Sequence, residues 1–460
     1  MKHTDINRLF ENPSDFLNKE TIICGWVKTA RDSKNMCFIE INDGTTLKNI
    51  QLVIDKNVLS IDKYKNAMNV GCAVKVDGIY VQSEVSSDSF EINVTNIDML
   101  GAAPTDYPLQ KKRHTLEYLR TIPHLRVRTN TFIAMHHVRS ELSMSIHDFF
   151  QKNGYLYIHT PIISGSDCEG AGEVFRITTQ SWNCGCKTEE EYFENDFFGR
   201  PAGLTVSGQM EGEVAAMALG KIYTFGPTFR AENSNTTRHV SEFWMIEPEA
   251  AFAELEDIME LAEEFIKHTI NHVLFKCRTE LEFFDKFFEK GLIEKLNSVV
   301  NSDFAVVQYT EAVELLKKSG KEFKYPVEWE SDLQTEHERY LTEEVYNKPL
   351  FIVNYPKKLK AFYMKQNSDG KTVAAADLLV PGIGEIIGGS EREADYDLLV
   401  DAMKSRGMNI ESYTEYLDLR KFGTAPHGGF GLGLERLLMY VTGIANIRDT
   451  LLYPRAPKEL

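Results

Sequence analysis

Between residues 21 and 99 the chain alternates short apolar runs with turn residues. The runs 21–27, 36–41, 49–54, 73–81 and 90–94 are rich in Ile, Val and other strand formers, and Asn42-Asp43-Gly44 supplies a turn after the second. Five short runs at this spacing predict a small closed barrel. Residues 101–108, with Pro104 and Pro108, break the pattern and mark a linker. Beyond it the period changes. Phe132, Met135, Val138, Leu142, Ile146, Phe149 and Phe150 recur at helical spacing over 129–153, and Gly154 ends that helix. Residues 155–163 then predict a strand, which Pro161 confines to an edge or an interface. Strand and turn alternate over 205–251, charged helical sequence fills 254–347, and the C-terminal part returns to strand, glycine loop and helix. The expectation is an α+β multidomain protein: a barrel over 1–101, a linker over 102–128, and an α+β domain over 129–460 with a helical insertion around 254–347.

Composition narrows the class. The 460 residues are 43% hydrophobic and 26% charged, an ordinary globular balance. No apolar run reaches the roughly 18 residues of a membrane span, and no apolar core follows Met1-Lys2-His3-Thr4-Asp5 as it would in a secretory signal. Seven scattered cysteines, an odd number with no export signal, read as reduced thiols and point to the cytoplasm. Against 51 Lys and Arg stand 68 Asp and Glu, a net charge of −17, which argues against a protein that coats nucleic acid through a uniformly basic surface. A local bias remains: over 111–139, Lys111, Lys112, Arg113, Arg120, Arg126, Arg128 and Arg139 face only one acid, Glu117. That stretch is either a solvated basic face or one that meets phosphate.

Three segments carry candidate chemistry. Residues 221–252 form two β-rich arms around the polar turn Asn233-Ser234-Asn235-Thr236-Thr237. Strand side chains repeat every two residues, so Arg230 shares a face with Glu232, and Phe243 with Met245 and Glu247. With Arg238 and His239 in the loop, this surface suits a phosphorylated, aromatic, amine-bearing ligand, or else holds cross-strand ion pairs. In 428–439 the glycine spacing is wrong for a dinucleotide fingerprint. As a strand it puts Gly429, Gly431 and Gly433 on one bare face, where a flat ligand could lie, before a helix with Arg436 near its anion-favouring start. In 376–392, Asp377 and Glu385 flank a turn and either hold a hard divalent cation such as Mg²⁺ or belong to a solvated loop. Cys184-Gly185-Cys186 lacks the second pair that a zinc site needs, and His136-His137 lies in the predicted helix with no chemistry assigned.

Together these segments resemble the signature motifs of class II aminoacyl-tRNA synthetases. Phe229-Arg230-Ala231-Glu232 with Arg238 is similar to the second motif, and Gly431-Leu432-Gly433-Leu434-Glu435-Arg436 to the third. The helix ending at Gly154 with Thr160-Pro161 resembles the first, whose proline lies at a dimer interface. The barrel resembles the anticodon-binding OB domain of the aspartate, asparagine and lysine subgroup. Within it, Leu204-Thr205-Val206-Ser207-Gly208-Gln209, Tyr355-Pro356-Lys357, Ala361-Phe362-Tyr363-Met364 and Gly388-Gly389-Ser390-Glu391-Arg392-Glu393 look like the asparaginyl enzymes.

The resemblance implies a homodimer that uses ATP, Mg²⁺, asparagine and the tRNA for asparagine, with an asparaginyl-adenylate as intermediate. Arg230 would hold the α-phosphate and amino-acid carboxylate, Glu232 the adenine amino group, and Arg238 and Arg436 the distal phosphates. Phe243 would stack on adenine, Glu385 and Asp377 would hold Mg²⁺, and Glu169, Gln209 and Glu247 would surround the substrate amine, with Ser207 also in the amino-acid site. Arg392 and Glu213 would read the carboxamide, with Glu211 as the alternative acid. Aspartyl enzymes carry a lysine where this chain has Gly212. In the barrel, Arg31, Phe38 and Gln51 match positions that touch the anticodon. The competing readings are an aspartyl enzyme and a synthetase-like protein that no longer charges tRNA.

Overall fold

The computed structural model describes residues 2–83, 89–165, 174–181 and 183–459, so Glu169 and Cys168 lie outside the described residues. The chain divides into two compact units, Met1–His137 and Val138–Leu460.

In the first unit, β1 (Glu20–Asp32), β2 (Met36–Asn42), β3 (Ile50–Asp55), β4 (Ala73–Gln82) and β5 (Phe90–Gly101) close a barrel in the order β1-β2-β3-β5-β4. Alternation decides what is inside: Cys37, Ile39 and Ile41 of β2 are buried with Ile23, Leu52, Val74, Val76 and Ile92, while Phe38 and Glu40 point outward. Residues 102–128, expected as a linker, belong to this unit and carry the short helices Leu116–Arg120 and Pro123–Arg126. Its basic residues are not uniformly solvated. Arg126 is fully buried 4.3 Å from the Phe132 ring centre, and the Arg128 guanidinium stands over Trp26 and Tyr107.

The second unit is built on an eight-stranded sheet. Its strands are β6 (Leu156–Tyr157), β7 (Lys221–Phe229), β8 (Glu242–Ala251), β9 (Ala305–Gln308), β10 (Leu350–Pro356), β11 (Thr372–Val380), β12 (Gly384–Glu391) and β13 (His427–Gly433), in the order β9-β10-β11-β12-β13-β8-β7-β6. The six inner strands are antiparallel, but β9 and β6 pair in parallel at the edges, so the sheet is mixed. The helix predicted over 129–153 is α1 (Asn130–Lys152). The strand predicted over 155–163 is interrupted. β6 stops at Tyr157, and after Pro161 the residues Ile163–Ser164 pair instead with Ala202–Leu204 in a separate three-stranded sheet. Proline lacks the N–H that an uninterrupted ladder would use.

The stretch 254–347 is largely helical but is no appendage. α2 (Leu255–Lys276) buries Ile258, Ala262, Phe265 and Ile266 beneath β11, β12 and β13, and β9 is the edge strand itself. Among the described residues no helix is long and apolar enough to cross a membrane.

Candidate active site

A cavity of about 380 Å³ opens on one face of this sheet, and β8 forms much of its wall. The period of two brings Phe243, Met245, Glu247 and Glu249 to the same side, and all four line the cavity. Arg230 and Glu232 follow the end of β7, with Arg230 N–H still donating to Ser241 O at 3.0 Å, and both also face the cavity. The Arg230 guanidinium lies 5.5 Å from the Phe243 ring centre. Arg238 and His239 enter from the turn, and Arg436 from the start of the helix α3 (Leu434–Thr442) that follows β13. Glu435 fixes that start: Oε1 accepts from Arg139 Nη2 at 2.8 Å, and Oε2 from the Trp244 N–H at 3.0 Å. Arg238 donates from Nη1 to Thr335 Oγ1 at 2.9 Å; burial lowers its pKa, Glu338 opposes this and Arg436 adds to it.

The bare glycine face is only partly bare. A Cβ at Gly429 would stand 2.2 Å from Pro248 O and 2.5 Å from the Glu249 carboxylate, so that glycine makes room for β8. At Gly431 a Cβ would meet Met245 Cε at 2.8 Å, while Gly433 alone of the three has open space. Gly431 and Gly433 line the cavity.

At the other end Ser207 and Gln209 face the cavity beside Glu247. Glu247 accepts from Ser207 Oγ at 2.5 Å, from Gly208 N–H at 3.2 and 3.0 Å, and from Thr224 Oγ1 at 2.8 Å. Three donors, one of them shared between both oxygens, hold the Glu247 side chain in position to meet an ammonium group. Gly208 has to be glycine, because a Cβ there would stand 2.5 Å from Thr160 Oγ1.

Arg392 is buried in the wall. It donates from Nε and Nη2 to the two oxygens of Glu249, at 3.2 and 2.5 Å, and from Nη1 to Ser390 Oγ at 2.6 Å. Burial pushes the Glu249 carboxyl up to about 7; Arg392 opposes that rise, and Glu213 adds to it.

The expected direct contact of Glu213 is corrected here. Its side chain is fully buried behind the wall, accepting from Tyr416 OH (2.9 Å), Arg420 Nη2 (2.7 Å), Gln209 Nε2 (3.0 Å) and His427 Nε2 (3.0 Å). Burial alone would raise its carboxyl; Arg420, then His427 and Arg392, hold it below the usual range instead. Glu213 therefore positions Gln209 and lies 4.0 Å from Arg392 Nε, while Glu249 is the acid at the cavity surface. Glu211 is not at the wall either, and accepts from Ser164 Oγ at 3.5 Å.

Asp377 on β11 and Glu385 on β12 both line the cavity and converge on Gly388, where a Cβ would stand 3.4 Å from Glu385 Oε1 and 3.7 Å from Asp377 Oδ1. Lys360 pairs with Asp377. Glu338 accepts from the Glu385 N–H at 3.3 Å, and its carboxyl is pushed up to about 8 by burial and by Glu385. Asp377 and Glu385 are thus a pair of hard oxygen donors, the type a divalent cation takes, though among the described residues no group of three or more His, Cys, Asp or Glu is placed to hold a metal.

On the barrel the register sets Arg31 opposite Phe38, and Gln51 opposite Glu40 and Glu91. The Arg31 guanidinium lies 5.0 Å from the Phe38 ring centre, and Gln51 Nε2 donates to Glu91 Oε2 at 3.0 Å. All three anticodon candidates thus share one outer face, and Phe38 is half-exposed rather than part of the barrel core.

The chain matches the tRNA synthetases class II (D, K and N) over residues 115–457, and the OB-fold nucleic acid binding domain over 21–100. The chain belongs to this class II synthetase family. The synthetase is 54% identical over 457 residues to the asparagine–tRNA ligase of Acetivibrio thermocellus, covering 99% of this chain and 98% of that one. It is 56% identical to that of Clostridium beijerinckii, with 98% of each covered. The asparaginyl-tRNA synthetase of Pyrococcus horikoshii complexed with asparaginyl-adenylate superposes with a TM-score of 0.88 at 32% identity, covering 100% of this chain and 99% of that one. Sequence reasoning about the synthetase passed over Glu249, although it stands two residues beyond Glu247 on the same strand face. It also missed Lys360 and Glu338, which carry no local signal and reach the site only through the fold.

Proposed function

We propose that the chain activates asparagine with ATP and transfers it to the tRNA for asparagine. The carrying observation is the convergence of Arg230, Glu232, Phe243, Glu247, Arg392 and Arg436 on one cavity, supported by extensive identity to asparagine–tRNA ligases. Phe243 stacks on the adenine, Glu232 accepts from its amino group, and Glu247 with Gln209 takes the substrate ammonium. The carboxylate of asparagine attacks the α-phosphate, pyrophosphate leaves, and a terminal ribose hydroxyl of tRNA takes the acyl group from the adenylate. No side-chain nucleophile is needed; positioning and charge neutralisation by Arg230, Arg238 and Arg436 suffice. Mg²⁺ fits Asp377 and Glu385, and when bound it would offset charge on the phosphate oxygens. Arg392 donates to the substrate carbonyl oxygen, and the amide N–H₂ is offered to Glu249, the carboxylate paired with that arginine at the wall.

Arg31, Phe38 and Gln51 on the barrel meet the anticodon. A second copy of the chain covers the apolar stretch around Pro161, where Leu156 (48%), Ile162 (43%) and Ile163 (45%) are exposed. Pyrophosphate exchange with asparagine and aspartate side by side, followed by charging of the tRNA, tests the reading. Exchange with aspartate alone, or exchange without charging, overturns it.

A further inference from the structure

Among the described residues, Cys184 and Cys186 are the two cysteines for which the catalytic cavity has no use and which solvent reaches together. Cys37, Cys72 and Cys277 are buried, Cys24 lies half-buried in β1, Cys184 is exposed and Cys186 half-exposed. The turn that carries the pair is held at both ends. Cys184 N–H donates to Ser181 O at 3.1 Å, and Gly185 takes φ +82°, the left-handed conformation that folds the chain back on itself. Lys187 N–H donates to Glu191 Oε2 at 2.8 Å, and Thr188 caps the helix Glu189–Glu194 by accepting from Glu191 N–H at 3.1 Å. Within this turn Cys186 N–H donates to Cys184 Sγ at 3.4 Å, so the second residue is folded over the first sulfur.

We infer that Cys184 and Cys186 are a dithiol modification site that closes to an intramolecular disulfide on reaction with a low-molecular-weight disulfide. The Cys184 thiolate, the more exposed, attacks one sulfur of the reagent R–S–S–R. The reagent S–S bond breaks, one R–SH leaves with a proton, and a mixed disulfide remains on Cys184. The Cys186 thiolate then attacks the Cys184 sulfur of that mixed disulfide, releases the second R–SH and forms the Cys184–Cys186 bond. The protein loses two electrons and two protons to the reagent, which ends as two thiols. Contact between the two thiols pushes the Cys186 pKa up to about 11, in line with its place as the second, resolving group. An exposed disulfide in so tight a ring belongs to the labile, reducible kind and not to the structural kind. The role asks for no metal and no movement of the catalytic strands.

The test incubates the full-length protein with glutathione disulfide, blocks remaining thiols by alkylation, and maps peptides by mass spectrometry, before and after dithiothreitol. The expected product is a Cys184–Cys186 link, lighter by two hydrogens, with no glutathione retained and full reversal by dithiothreitol. Cys184→Ser and Cys186→Ser should each lose the link and instead retain glutathione on the cysteine that is left. Their pyrophosphate exchange should match wild type, which shows that they are folded. Stable glutathione adducts on the wild-type pair, a link from either thiol to Cys168, or no reaction at these two sites would each overturn the assignment.

Discussion

Arg392 and Glu249 face each other in the cavity wall through two hydrogen bonds, with the acid held up to about 7 by burial. An unfolded glutamate ionises near 4.5, so between about 4.5 and 7 the folded chain keeps a proton that the unfolded chain has released. The contribution of Glu249 to stability is therefore complete below that window and is lost as pH rises through it. Glu249→Gln cannot titrate. The melting temperature of wild type minus that of the variant should fall as pH goes from about 5 to about 8. Glu213, held low, titrates in both proteins and drops out of the difference. A difference that is flat with pH would refute the assignment.

Arg230 and Arg436 reach the cavity from different elements, one past the end of β7 and the other from the first turn of α3. Replacing either with alanine should slow adenylate formation by about two to three orders of magnitude, the usual cost of one preorganised charge contact. Circular dichroism should be unchanged. Near-normal pyrophosphate exchange in either variant would remove that arginine from the phosphate site.

Phe38 stands on the outer face of the barrel beneath the Arg31 guanidinium. Phe38→Ala should weaken tRNA charging by about 1–3 kcal/mol through lost base stacking. Exchange without tRNA should not change. An equal loss in both assays would make Phe38 a packing residue, against its half-exposed position.

These cases show what the residue pattern carries. Short apolar runs were enough to assign the barrel strands, and period-two alternation to group Phe243 with Glu247, because strand geometry is local. The reach of Glu213 was not legible. Its neighbours Arg420 and His427 lie more than two hundred residues away, and only the fold reveals that they occupy its oxygens. The glycine run misled for a related reason: the space beside Gly429 is taken by β8, a strand from another part of the chain. Pro161 was read as confining one continuous strand to an edge or an interface, but the strand stops at Tyr157, and where the chain goes next depends on a partner strand some forty residues on, at Ala202–Leu204.

The choice of asparagine over aspartate rests on charge around one helix turn. Gly212 is buried on the helix Gln209–Leu219, and a Cβ there would stand 3.6 Å from Glu249 Cγ and 3.4 Å from Ile222 Cδ1, ordinary contacts for that atom. With no lysine at 212, a substrate carboxylate beside Glu249 would meet like charge once that acid is ionised, at a cost of several kcal/mol. Gly212→Lys brings an ammonium to Glu249, and a helix interior tolerates lysine better than glycine. It should narrow the asparagine preference in pyrophosphate exchange by raising activity with aspartate. Glu213→Gln should narrow it as well, but it leaves Arg420 without its charge partner, and losing one side of a buried pair costs about 3–5 kcal/mol. Its melting temperature has to be measured alongside, and the amino-acid ratio compared where both proteins are folded. Wild type favouring aspartate would defeat the reading outright. If both variants keep the wild-type ratio, the carboxamide is read by groups other than these acids.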